Sequence, residues 1–151
     1  VGALGPAVPA WLLPTMVFVL SAAIAFATGT SFGTMAVIIP LAIPLALAIE
    51  PTSALALATS AAVLSGATWG DHCSPISDTT ILSSTGTGCD HAAHVTTQLP
   101  YALSAGAVSI LVGTLPAGFG INPWLSLLAG CIGCAIIVRT FGKVPVVSPS
   151  S

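Results

Sequence analysis

Eleven consecutive residues, Gly70-Asp71-His72-Cys73-Ser74-Pro75-Ile76-Ser77-Asp78-Thr79-Thr80, concentrate the reactive chemistry of this chain. They hold two of its four acidic residues, seven positions apart, with one imidazole, one thiol and four hydroxyls. The sequence on both sides is apolar and rich in small residues. If those flanks lie in a bilayer, two carboxylates sit at membrane depth, at a cost of roughly 2.5 to 3.5 kcal/mol each near the centre. Ionisable groups placed there mark ion or proton pathways, so Asp71 and Asp78 are the first candidates for function.

Composition supports the membrane premise. Hydrophobic residues make up 55% of the 151 and charged residues 4%, against about 25% charged in a soluble domain. Two Lys or Arg and four acids cannot cover a water-facing surface. The apolar sequence comes in long runs punctuated by Pro and Gly rather than in short alternating strands, which predicts an all-α, polytopic membrane protein and favours a helical bundle over a barrel. The net charge of −2 and the lack of any basic run exclude nucleic acid as a partner; the partner is the lipid bilayer. No basic region with a cleavage site precedes the first apolar run, so no signal peptide is read, and a piece of a longer chain is expected. Cys73, Cys89, Cys131 and Cys134 form no disulfide framework. Cys131-Ile-Gly-Cys134 is formally a C-x-x-C pair, but inside an apolar run it reads as small packing residues.

The elements that must position the carboxylates follow from the breaks. Residues 9–50 form a helical hairpin whose tip, 28–34, contains two Gly and four hydroxyl residues and is expected to be non-helical. Its second arm, Met35 to Ile49, is about 15 residues, short of the roughly 20 needed to span a membrane, which suggests a re-entrant hairpin. Residues 53–85 are a helix capped by Thr52 or Ser53 and broken at 70–77, with Asp78 as the N-cap of the second half. Residues 86–98 are a polar loop, 99–119 and 124–140 are transmembrane helices, and 141–151 is a tail. Arg139 and Lys143 place the C-terminus in the cytoplasm by the positive-inside rule, and the protein in the cell membrane as a multi-pass protein.

Three blocks then resemble a known family. GTSFGTM at Gly29 to Met35, GDHCSPISDTT at Gly70 to Thr80 and CDHAAHVTTQLPYAL at Cys89 to Leu103 are similar to the C-terminal half of the NhaC family of sodium/proton antiporters. The resemblance runs from about Trp11 to the last apolar helix. It implies one half of an inverted-repeat transporter, in which Gly29–Gly33 is a hairpin tip meeting the helix break Gly70–Ser77 at the midplane. A separate N-terminal half is then a partner, and a homodimer is a candidate assembly.

Sodium wants several oxygen ligands, which unwound backbone, helix termini and hydroxyls supply without full charge. The tip offers Thr28, Thr30, Ser31 and Thr34; the break offers Ser74, Ser77, Thr79 and Thr80, with the carboxylates of Asp71 and Asp78. Exchange needs one site that holds a proton or Na+ but not both. A carboxyl group removed from water does this, since desolvation favours its neutral form and a bound cation its ionised form. Asp71 or Asp78 is the expected exchanging group, and His72 a candidate proton relay. No catalytic residue, no cofactor and no metal beyond Na+ is expected, the two ions being cargo. The bland alternatives make Asp78 a structural cap, Asp71 a turn former, His72 a hydrogen-bonded structural residue, and His91 and His94 solvated rather than metal-binding. A zinc cluster at Asp71-His72-Cys73 with Asp78 is disfavoured because adjacent residues seldom converge on one ion. Competing functions are sodium-coupled exchange of a small organic acid, a non-transporting membrane remnant or subunit, and an intramembrane aspartyl hydrolase. The last needs its carboxylates on two regular helices.

Overall fold

The computed structural model describes residues 9–142, and among these there are helices and turns but no strand. A short 3-10 turn, Ala10–Leu12, leads into α1, Leu13–Thr28. Then come α2, Ser31–Ile49, and α3, Ser53–Cys73, followed by the short α4, Asp78–Thr87. The fifth helix, α5, His91–Val108, continues through a wide π turn at Ser109–Thr114 into α6, Leu115–Gly118. The last is α7, Pro123–Phe141. Among the described residues, four stretches are long and apolar enough to cross a membrane: Ala10–Thr28, Ser31–Ile49, His91–Gly118 and Pro123–Phe141.

The bundle is built on α1 and α3. They run parallel, and two glycines four residues apart let their backbones meet. A Cβ on Gly66 would collide with the carbonyl of Phe18, and one on Gly70 with the carbonyl of Ala22. Small residues at such crossings let helices approach closely where no hydrophobic force drives them together in lipid. Between them α2 returns antiparallel, and Leu13, Val17, Ile38, Ala42, Ala46, Leu55 and Val63 form the shared core. Pro40 and Pro44 lie inside α2 on its exposed side. On the other flank α5 runs antiparallel to α3. The Trp69 indole N–H donates to the Ala102 carbonyl at 2.6 Å, the ring lies over Gly106, and Phe18 stacks on it at 5.8 Å. Thr15 Oγ1 donates to Thr114 Oγ1 at 3.1 Å, tying α1 to the π turn. α7 folds back along α5, with Gly133 facing Val108, and buries no residue. It leaves a cleft of about 910 Å³ towards α3.

Several expected boundaries move. The tip is two residues, Gly29 and Thr30, not seven. Thr30 caps α2, its side chain accepting from the Gly33 N–H at 3.3 Å, so Ser31–Thr34 form the first helical turn. The second arm is therefore 19 residues, and both arms reach spanning length. The helix break is Ser74–Ser77 rather than 70–77: Gly70 to Cys73 stay helical, and the chain leaves the helix at Ser74, φ −75° and ψ 128°. That residue precedes Pro75, whose ring disfavours helical backbone before it. The polar loop at 86–98 is a turn, Gly88-Cys89-Asp90, followed by helix. Gly88 ends α4 in the left-handed conformation, φ 66°, and Asp90 caps α5, accepting from the Ala93 N–H at 2.9 Å. The helix tolerates its polar residues because Thr96 and Thr97 bond back to the carbonyls of Ala92 and Ala93. The expected helix over 99–119 thus begins at His91, and the last helix is Pro123–Phe141 against an expected 124–140. The tail after Gly142, with Lys143, lies outside the described residues.

Candidate functional site

The end of α1, the start of α2, the end of α3 and the first turns of α5 gather at one end of the bundle, around the break at Ser74–Ser77. Gly29 joins tip to break. It takes φ +68°, and a Cβ there would lie 2.8 Å from the Ile76 carbonyl oxygen, so only glycine allows this approach. Ser74, fully buried, donates from Oγ to the Phe26 carbonyl of α1 at 2.8 Å and accepts from the Ile76 N–H at 3.3 Å. One hydroxyl thus holds the break to α1 and shapes the turn.

Asp71 occupies the last turn of α3 and is 6% exposed. Its Oδ1 accepts a hydrogen bond from Ser77 Oγ at 2.7 Å. Ser77, itself fully buried, lies 2.8 Å from Thr79 Oγ1. Carboxylate, serine and threonine therefore form a chain of three oxygen-bearing groups across the gap between α3 and α4. A buried carboxylate with neighbouring hydroxyls is what a partly dehydrated monovalent cation, or a proton, can use. No basic side chain bonds to Asp71 among the described residues.

The remaining sequence-predicted residues divide. Asp78 is exposed and is not the N-cap: Ser77 holds that position, and Asp78 is the first residue of α4, with Oδ1 accepting from the Thr79 N–H at 2.8 Å. Ser77 caps without its side chain because its hydroxyl goes to Asp71. Thr80 is buried on α4. At the tip, Thr28 donates to the Ile24 carbonyl at 2.8 Å and Thr34 to the Thr30 carbonyl at 2.9 Å, each within its own helix or cap. Thr30 Oγ1 is the cap of α2, and Ser31 is half-buried in its first turn. The tip thus meets the break through backbone at Gly29, and its hydroxyls bond locally. His72 is exposed, and its carbonyl accepts from the Gln98 side chain of α5. Among the described residues no three His, Cys, Asp or Glu side chains group to hold a metal, and the four cysteines are free.

Two contributors carry no signal in the sequence, the Phe26 carbonyl and Gln98, and a third, His91, expected there to be solvated, is instead engaged. The His91 ring lies 2.7 Å from the Pro75 carbonyl through Nε2 and 3.1 Å from Ser84 Oγ through Nδ1. The sequence places it after Asp90 in an expected polar loop and gives no sign of its partner 16 positions back.

Comparison with known proteins supplies the context. The profile of the Na+/H+ antiporter family matches residues 5–119. An uncharacterised protein of Haemophilus influenzae is 45% identical over 136 residues, covering 90% of this chain and 26% of its own length. A second protein of the same organism, described as an uncharacterised Na+/H+ antiporter, is 35% identical over 109 residues, 70% of this chain and 22% of its own. The chain therefore spans about a quarter of the length of these curated relatives. No solved structure matches it.

Proposed function

The chain belongs to the Na+/H+ antiporter family, and from that premise we propose that it forms the part of a secondary transporter that exchanges Na+ for H+ by alternating access, with both ions competing at Asp71. The observation that carries this reading is the buried Asp71 carboxylate bonded to Ser77, itself beside Thr79, at the interruption between α3 and α4. A proton on Asp71 removes the negative charge a sodium ion needs. A sodium ion seated on the carboxylate and the two hydroxyls favours the ionised form and displaces the proton. The hydroxyls supply oxygen ligands without adding charge, as suits a monovalent ion that must also leave.

Asp78 is assigned a helix-start role, because it is exposed and bonded to the adjacent amide. The finer architecture goes with the proposal: an NhaC-type antiporter in which this chain lies within the C-terminal inverted-repeat half, with α1 and α2 as a hairpin whose two arms are each long enough to span rather than re-entrant, α3 and α4 as a broken helix, and the C-terminus in the cytoplasm of a cell-membrane protein. The approach of Gly29 to Ile76 supports a tip that meets the break. A complementary half from the rest of the polypeptide would close the site.

The test is sodium-driven proton movement in inverted membrane vesicles containing the complete transporter. Proton movement that requires sodium and is lost in Asp71→Asn, with the protein inserted and folded, is the expected result. Undiminished exchange in Asp71→Asn would overturn the site. No sodium-dependent movement in the unaltered protein would overturn the exchange itself.

A further inference from the structure

We propose that His91 is a positioning residue for the helix break, tying the Pro75 carbonyl to Ser84 of α4, and that the tie is complete only when the imidazole carries both protons. The argument is one of donors and acceptors. The Pro75 oxygen lies 2.7 Å from Nε2, and a carbonyl only accepts, so Nε2 bears a proton. Ser84 Oγ lies 2.9 Å from the Ile81 carbonyl, which also only accepts, so the single hydroxyl proton points there. The Ser84 oxygen, 3.1 Å from Nδ1, can then only accept, and Nδ1 must donate. All three contacts coexist in the imidazolium.

A neutral ring with its proton on Nε2 keeps Pro75 through a weaker, uncharged donor. It draws the Ser84 proton away from Ile81, whose carbonyl still has Thr85 Oγ1 at 2.8 Å. The other neutral tautomer loses Pro75. Ser74 and Ser77 are anchored at the two ends of the break, to the Phe26 carbonyl and to Asp71, but the bonds inside it are long, Ile76 N–H to Ser74 Oγ at 3.3 Å and Ser77 N–H to the Ser74 carbonyl at 3.4 Å, so the Pro75 tie adds to the hold on its middle. Two residues beyond Pro75 stands Ser77, the donor to Asp71. Loosening Pro75 therefore loosens the hydroxyl on the carboxylate.

The titratable groups on the segments that meet at His91 are Asp71, His72 and Cys73 at the end of α3, Asp78 at the start of α4, Cys89 and Asp90 just before His91, and His94 one turn along α5. On α7, which meets α5 at Val108, the end of α5 away from His91, the charged group is Arg139. The ring's own side-chain partner is the neutral Ser84, and Asp90 is engaged in capping Ala93. The consequence for sodium rests on the exchange reading above, whereas the tie itself does not, and the test separates them.

Hydrogen–deuterium exchange of the Ile76 and Ser77 amides is measured in the complete transporter without sodium, between about pH 5 and pH 8, where histidine titrates. Corrected for intrinsic exchange, protection is expected to be about tenfold higher on the acid side, as a charged donor replaces a neutral one. His91→Gln, which keeps an N–H for Pro75 but cannot charge, should flatten that dependence. Ser84→Ala should reduce acid-side protection. Unchanged protection of the α1 amides serves as the folding control. Retention of the pH dependence in His91→Gln, or its absence in the unaltered protein, overturns the proposal. Protection that follows His91 in a transporter showing no sodium–proton exchange upholds the tie and removes only the exchange reading.

Discussion

Ser77 Oγ donates to Asp71 Oδ1 at 2.7 Å, although the two lie six positions apart across the end of a helix. This bond needs the chain to leave α3 at Ser74 and turn back within four residues, so that the N-cap residue of α4 faces the last turn of α3. The same serine lies 2.8 Å from Thr79, which makes it the middle of the oxygen chain rather than an end.

Ser77→Ala follows as the first prediction. It removes the bond to the carboxylate and one ligand for sodium while leaving the charge in place. A hydrogen bond to a charged group is worth about 1.5–3 kcal/mol, so the sodium concentration giving half-maximal exchange should rise by at least about tenfold. Maximal exchange should persist, in contrast to Asp71→Asn. Sodium titration of proton movement in vesicles measures both quantities. An unchanged half-maximal concentration would remove Ser77 from the site.

Asp78→Asn should behave differently. Asp78 is exposed, and its Oδ1 bonds to the neighbouring Thr79 amide, a bond an asparagine oxygen can also accept. Asparagine at the start of a helix costs only a few tenths of a kcal/mol of dipole interaction. Exchange should stay within about twofold of the unaltered protein in the same vesicle assay. Loss comparable to Asp71→Asn would show that Asp78 joins the site in another conformation and that the two carboxylates share the proton.

What was legible in the sequence follows from where the local rules dominate. The break was readable because Pro75 forces its predecessor out of helical backbone, but nothing in Gly70-Asp71-His72-Cys73 stops a helix, so the unwound stretch came out too long. That error placed Asp71 on unwound backbone, when it stands on a regular helix with its neighbours fixed. The tip came out too long for the opposite reason. Thr30, read as a ligand, is a cap, and a cap turns the hydroxyl-rich residues after it into helix. Polarity alone suggests a loop over 86–98, whereas a threonine that bonds to its own helix's carbonyls is no obstacle to a helix. The pairing of Asp71 with Ser77 and of His91 with Pro75 joins residues across helix ends, where no periodicity signals contact. Both needed the three-dimensional path of the chain.

The glycines of α3 give the sharpest stability prediction. Gly66 faces the backbone carbonyl of Phe18, which cannot rotate out of the way as a side chain would. Gly66→Ala must therefore push α1 from α3 at the crossing that carries the bundle. Overpacking of this kind costs about 1–3 kcal/mol, and the thermal unfolding midpoint of the purified transporter should fall. Alanine's better helix propensity returns at most about 1 kcal/mol, so the sign is set by the collision. Gly86→Ala on α4 supplies the control, since a Cβ there meets nothing within 4 Å. With no collision, propensity alone acts, and the midpoint should hold or rise slightly. If Gly66→Ala were as harmless as Gly86→Ala, α1 and α3 would not be in backbone contact, and the route by which Ser74 reaches the Phe26 carbonyl would fall with it.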